Sequence, residues 1–192
     1  MNNNIQFNKD RTKTFIVAFN KPKGVISTHK DEKDRVKVYD FIPNKLVKYL
    51  GGKIHSIGRL DYNSQGLLLL TNNTKLKSYY ENPQSGIIRI YRVKIQGLID
   101  SNQKKRILEG IKINNRIHDV KSLQLISNTK TYSWLKISLD KGMNQHIRKI
   151  FSKFNISVNK LIRIQYGPYK LANLKSGEIK ILSYKKPFKK EC

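Results

Sequence analysis

This chain is nearly without cysteine: its single one, Cys192, is the last of 192 residues. An intramolecular disulfide and any cysteine-based metal site are therefore excluded. Acidic residues are scarce as well, 13 against 39 Lys and Arg. Long apolar runs are missing, and nothing approaches the roughly 20 residues a membrane helix needs. The opening stretch MNNNIQFNKDRTKT has no apolar segment of the secretory kind. It is basic but lacks the arginine and serine richness of an organelle presequence, so residues 1–13 are expected to be a flexible basic tail, with a second at 184–192. No GxGxxG, GxxxxGK[ST], HExxH or GxSxG string occurs. The four histidines, His29, His55, His118 and His146, lack metal-ligand spacing. No metal and no cofactor are expected.

What the chain does have is positive charge: +26 net, with an isoelectric point near 10.2. Lysines outnumber arginines, as drift in an AT-rich genome would produce, so part of the charge is compositional. A chain this basic still binds phosphate backbones through counterion release. Charge points to nucleic acid as the partner but does not separate a binder from an enzyme.

Along the chain, TFIVAFNKP (14–22) reads as a strand stopped at Pro22. KIHSIGRLD leads into LLLL (67–70), a strand apolar on both faces. TKLKSYYENP reads as a short helix ending before Pro83. In GIIRIYRVKIQG (86–97), Ile88, Ile90 and Arg92 face one way and Arg89, Tyr91 and Val93 the other. DSNQKKRILEGIKI reads as a helix capped by Asp100 or Ser101, with Gly110 near its end. Strands are expected around VKSLQLIS and YSWLKISLD, and a helix over 143–155 from the spacing of Ile147, Ile150, Phe151 and Phe154. KLIRIQYGPYKL and EIKILSY close the chain as strands. No repeat or linker divides it. The expectation is one α+β domain on a mixed, largely antiparallel sheet, with a cleft where loops and strand ends meet.

Three constellations can carry chemistry. In GRLDYNSQGLLLL (58–70), Asp61 stands at the lip of a buried strand, where desolvation and nearby charge act strongly on a carboxylate. The plain alternative is an Asx turn that starts the strand. Arg59 is either a surface charge worth little or a means of orienting that carboxylate. Tyr91 is either packing or a flat platform for a nucleobase. In KGMNQHIRKIF (141–151), Arg148 belongs either to a solvated helix face or turns inward as a forked partner for a buried carboxylate, a geometry lysine cannot supply.

GRLDYNSQGLLLLTNN, RIYRVKIQG and KGMNQHIRKIF resemble, in this order and at similar separations, three signature blocks of the bacterial-type RNA pseudouridine synthases. The similarity is to the branch that holds the type A synthases of the small ribosomal subunit together with types B, E and F of the large one. Within that branch it is greatest to type E. FNKPKGVIST and KLIRIQYGPYKLANLKSGE are similar to the same branch, so the resemblance runs over about 14–183. It implies a single pseudouridine synthase catalytic domain; with only about 13 residues before the first strand, the S4 RNA-binding domain frequent in the family is expected to be absent. The chain departs from the third block at Lys141 and Gln145-His146.

The resemblance implies isomerisation of a uridine in RNA, most of all ribosomal RNA, by a cytoplasmic monomer, with an organelle of bacterial descent as the other setting. Asp61 becomes the nucleophile, Tyr91 the stacking residue or proton relay, and Arg148 the charge that keeps Asp61 ionised. Arg59 and Asn144 become substrate contacts, and Leu161 and Ile162 the apolar wall. Two other readings compete: a non-catalytic RNA-binding or ribosome-associated protein retaining the fold, and a glycosidase-like hydrolase, for which no second carboxylate stands near the motifs.

Overall fold

The computed structural model describes residues 13–29 and 31–185; most of both expected tails lies outside the described residues. Eleven strands and four helices follow one another among them: β1 Ile16–Lys21, α1 Asn44–Tyr49, β2 His55–Ile57, β3 Gln65–Thr71, α2 Thr74–Glu81, β4 Arg89–Gln96, α3 Ser101–Glu109, β5 Ile111–Ile113, β6 Arg116–His118, β7 Ser122–Asn128, β8 Tyr132–Leu139, α4 His146–Ser152, β9 Val158–Tyr166, β10 Tyr169–Lys170 and β11 Ile179–Leu182. The main sheet runs β11-β1-β3-β9-β4-β8-β7, with β2 on β3 and β10 on β9. This is the mixed, mostly antiparallel α+β architecture expected, flanked by helices.

The seam of the sheet is the parallel pairing of β3 with β9, which places Gln65 opposite Ile162 and Gly66 opposite Arg163. Gly66 makes the seam possible. Its φ is +99°, and a Cβ there would stand 2.4 Å from the Arg163 carbonyl oxygen. Only glycine tolerates both the backbone angle and the approach. After it, Leu67 to Leu70 are wholly buried, covered on both faces as their unbroken apolar run requires. Leu68 and Leu70 join the larger core with Val93, Ile137, Ile147 and Phe151. Leu67 and Leu69 face a second core with Tyr80, Tyr166 and Tyr169.

Helix starts follow their caps. Asn73 accepts from the Leu76 N–H at 3.0 Å to open α2. Asp100, rather than Ser101, opens α3 by accepting from Gln103 N–H at 2.7 Å, while the Gln103 side chain accepts from Asp100 N–H at 3.1 Å. α4 is shorter at both ends than the apolar spacing over 143–155 implies: Gln145 in a left-handed conformation (φ 52°) fixes its start, and after Ser152 the chain tightens into turn bonds from Lys153 N–H to the Ile150 carbonyl and from Phe154 N–H to the Phe151 carbonyl before left-handed Asn155 (φ 57°). Around β9 the alternation of faces changes. A register shift places Ile90 opposite Gln165 but Tyr91 opposite Arg163. This one-residue bulge lets Leu161, Arg163 and Tyr166 all turn inward.

Candidate active site

Asp61 lies in the 58–64 loop joining β2 to β3, and the backbone of that loop is held at many points. Gly58 N–H donates to Glu81 Oε1 at 2.8 Å. Ser27 Oγ exchanges hydrogen bonds with Leu60, donating to its carbonyl at 3.0 Å and accepting from its N–H at 3.3 Å. Gly24 N–H donates to the Tyr62 carbonyl and Ser64 N–H to the Asp61 carbonyl, both at 2.9 Å. Arg148 Nη2 donates to the Asn63 carbonyl at 3.2 Å. The Asp61 backbone is thus tied down while its carboxylate, among the described residues, has no hydrogen bond and no ion pair. An Asx turn would have spent that carboxylate on the backbone; here it stays available.

The carboxylate opens into a cleft of about 820 Å³ lined by residues from both halves of the sheet. Arg59 and Asn144, both exposed, stand at its rim; Tyr91, 8 % exposed, and Leu161, 6 % exposed, form its wall. These four expected residues and Asp61 are brought together. Two others are not. Ile162 follows Leu161 in an alternating strand, so it turns to the other face of the sheet, opposite Arg92, and packs against Gly66. Arg148 does not pair with Asp61. Its Nη1 donates to the Val158 carbonyl at 2.7 Å and its Nη2 to Asn63, so the fork bridges β9 and the Asp61 loop by binding backbone.

The cations near Asp61 are others, which the sequence motifs did not single out. Lys21, at the end of β1, is wholly buried, and its ammonium donates to the carbonyls of Pro22 at 2.8 Å and Val25 at 2.7 Å. Burial lowers its pKa to about 8; Asp61 opposes the shift and Arg163 adds to it. Arg163 is 2 % exposed, lines the cleft, and donates Nε to the Leu67 carbonyl at 2.7 Å. Its Nη2 has no partner among the described residues. A buried guanidinium with a free N–H in a cleft wall is costly unless a ligand completes it. The signal lay in NKP and LIRI, whose polar residues interrupt runs otherwise buried.

Arg89 differs. Its guanidinium binds the carbonyls of Ile87, Tyr80 and Asp140 and the Tyr166 hydroxyl, so it braces the cleft floor. Glu81 is a second carboxylate in the cleft, which the motifs did not reveal. It is engaged by Gly58 N–H and by Lys77 at 2.6 Å. On the third block, His146 is 5 % exposed with neither ring nitrogen hydrogen-bonded among the described residues, edge-on to His118 with centroids 4.9 Å apart. Burial, then His118, lower its pKa to about 4.

One uncommitted carboxylate at the seam of the sheet shares a cleft with a tyrosine and buried cations, an arrangement with the parts for nucleophilic chemistry as well as for binding. Residues 15–153 match the model of the RNA pseudouridylate synthases, and the chain belongs to that family of isomerases. It is 40 % identical over 177 residues to an uncharacterized RNA pseudouridine synthase of Rickettsia bellii, covering 90 % of this chain and 72 % of that one. It is 37 % identical over 182 residues to the ribosomal large subunit pseudouridine synthase B of Buchnera aphidicola, covering 93 % and 71 %. A crystal structure of a pseudouridylate synthase superposes with a TM-score of 0.74 at 25 % identity, over 89 % of this chain and 71 % of the other. The branch suggested by the sequence blocks is the one these relatives support.

Proposed function

We propose that this chain isomerises a specific uridine of large-subunit ribosomal RNA, with Asp61 as nucleophile. The observation that carries the reading is the Asp61 carboxylate, anchored through its backbone, free of hydrogen bonds and set in the cleft with Arg163 and Lys21 buried nearby. The large-subunit target is supported by the name of the Buchnera relative.

In the reaction the N1–C1′ bond of uridine breaks, the uracil turns, and a C5–C1′ bond forms. The C5 proton is lost and N1 gains one, so atoms and oxidation state are conserved and the chemistry calls for neither metal nor organic cofactor. Asp61 attacks the ribose or the base and must start ionised. Lys21 and Arg163, both buried, supply positive charge near it. Tyr91 stacks on the uracil, Leu161 closes the apolar wall, and Arg59 and Asn144 contact substrate at the rim. The target base leaves its stack at a cost of a few kcal/mol, offset by lysine–phosphate contacts around the cleft. Glu81, already bonded to Gly58 and Lys77, is not placed as the second carboxylate of a hydrolase.

Pseudouridine mapping of total RNA from cells with and without the gene tests this. Loss of a large-subunit ribosomal site is expected; an unchanged map would overturn the reading.

A further inference from the structure

We propose that the outer face of the β9–β4–β8–β7 half of the sheet, turned away from the cleft, is a second RNA-binding surface that holds the phosphate backbone of a helix flanking the modified one. The inference rests on the reading of the substrate as RNA. The inner face of these strands carries Tyr91, Val93, Leu135, Ile137 and Leu161 and is buried in the core. The outer face carries Arg92 and Lys94 from β4, Tyr132, Trp134 and Lys136 from β8, and Lys160 from β9. Cross-strand register fixes this: Arg92 is opposite Lys136, and Lys94 is opposite both Trp134 and Lys160. Arg92, Lys136 and Lys160 are exposed.

Two features distinguish this face from an ordinary solvated surface. First, its own strands carry no counter-charge. Residues 82–99, 120–139 and 141–177 contain no Asp or Glu, so the strands add cations without one carboxylate to pair them. Like charges on neighbouring strands destabilise a sheet, and a polyanion relieves that repulsion. Second, the cations are pre-arranged. The Arg92 guanidinium lies 4.6 Å from the Trp134 ring centroid, and the Lys94 ammonium 3.6 Å from that of Tyr132. Stacking on aromatic faces fixes long side chains that would otherwise lose freedom on binding. The rings are covered by these cations, so the face offers charge rather than open platforms for bases. Four strands span roughly 14 Å at the usual strand spacing, enough to follow a phosphate backbone but without the donors and acceptors that read sequence.

The test is the triple variant Arg92→Thr/Lys136→Thr/Lys160→Thr in the full chain, with Lys170→Thr/Lys175→Thr/Lys180→Thr as a control of equal charge. Binding to protein-free large-subunit ribosomal RNA is measured against salt. Removing three phosphate contacts should flatten the slope of log affinity against log salt by about 2 to 3, with the control near wild type. Turnover of a minimal stem at saturation should stay within about twofold, since none of these residues lines the cleft. In the wild type, bound RNA should shield Lys136 and Lys160 from acylation while Lys170, Lys175 and Lys180 stay reactive. Equal slopes for the two triple variants, or Lys136 and Lys160 equally reactive with and without RNA, would overturn the proposal. Should β-strand changes weaken folding, the single exposed reversal Lys136→Glu reads the same slope in the same direction. An enzyme that makes no pseudouridine yet shows the face-dependent slope would sink the functional reading and leave this surface standing.

Discussion

Tyr91 and Arg163 stand directly opposite one another across the β4–β9 ladder, and both line the cleft. The bulge beside them sets this pairing, so the tyrosine ring and the buried guanidinium are placed by one irregularity of the sheet. Arg163 keeps an unpartnered Nη2 there, and lysine could not reproduce both its bond to Leu67 and that free donor. Arg163→Lys is expected to lower kcat by about 10²–10³, the usual scale for losing one preorganised donor, with RNA affinity within a few fold. Steady-state kinetics on a ribosomal RNA fragment checks this; near-normal kcat would remove Arg163 from the site.

Arg148 gives the contrasting case. Its fork holds the carbonyls of Val158 and Asn63, so its loss loosens the Asp61 loop without withdrawing a charge from the carboxylate. Arg148→Lys should destabilise the protein by about 1–3 kcal/mol, read by thermal or denaturant unfolding, and cost less in kcat than Arg163→Lys. The reverse order would restore Arg148 as the partner of Asp61.

Lys21 links the site to pH. Its pKa is lowered from 10.5 to about 8 by burial. Between those values the unfolded chain binds the extra proton, so this group's contribution makes stability rise with pH from about 8 to 10.5. Activity should move the opposite way: above pH 8 the amine loses its charge and Asp61 loses a nearby cation. The expected kcat profile falls with an apparent pKa near 8. Lys21→Met should be slower and lack that limb; an identical limb in the variant would assign it to another group.

His146 governs the acid side of stability. Burial holds its pKa near 4 against the usual 6.5, so the unfolded chain takes up the proton first as pH falls. Its contribution is complete above pH 6.5 and is lost as pH falls toward 4, on the order of 3 kcal/mol in all. His146→Gln should flatten the melting temperature over that range, and an unchanged acid dependence would assign that limb to another group.

Much of this was legible in the sequence because it follows local rules. Period-two alternation placed Tyr91 and Arg92 on opposite faces of β4, and the leucine run announced a strand covered on both faces. The losses have physical causes. α1 is six residues long, too short for a periodic signal. The β5–β6 hairpin turns on Asn114-Asn115, both left-handed at φ 47° and 59°, a turn signal hidden behind the helix that precedes it. Leu161 and Ile162 were both expected in the cleft wall, yet alternation admits only one. Arg148 and Arg163 are equally plausible by type for a place in the cleft with Asp61; which one takes it depends on a parallel strand pairing between residues about a hundred positions apart, which no local pattern encodes.

Single-turnover pseudouridine formation by Asp61→Asn beside wild type, with RNA affinity measured on the same preparations, tests Asp61 as the nucleophile most directly. The amide keeps the size of the side chain but cannot act as the nucleophile, while phosphate contacts that supply most of the binding remain. No detectable pseudouridine is expected from the variant, with an affinity within a few fold of wild type. Isomerisation by Asp61→Asn at the wild-type rate would contradict that role for Asp61.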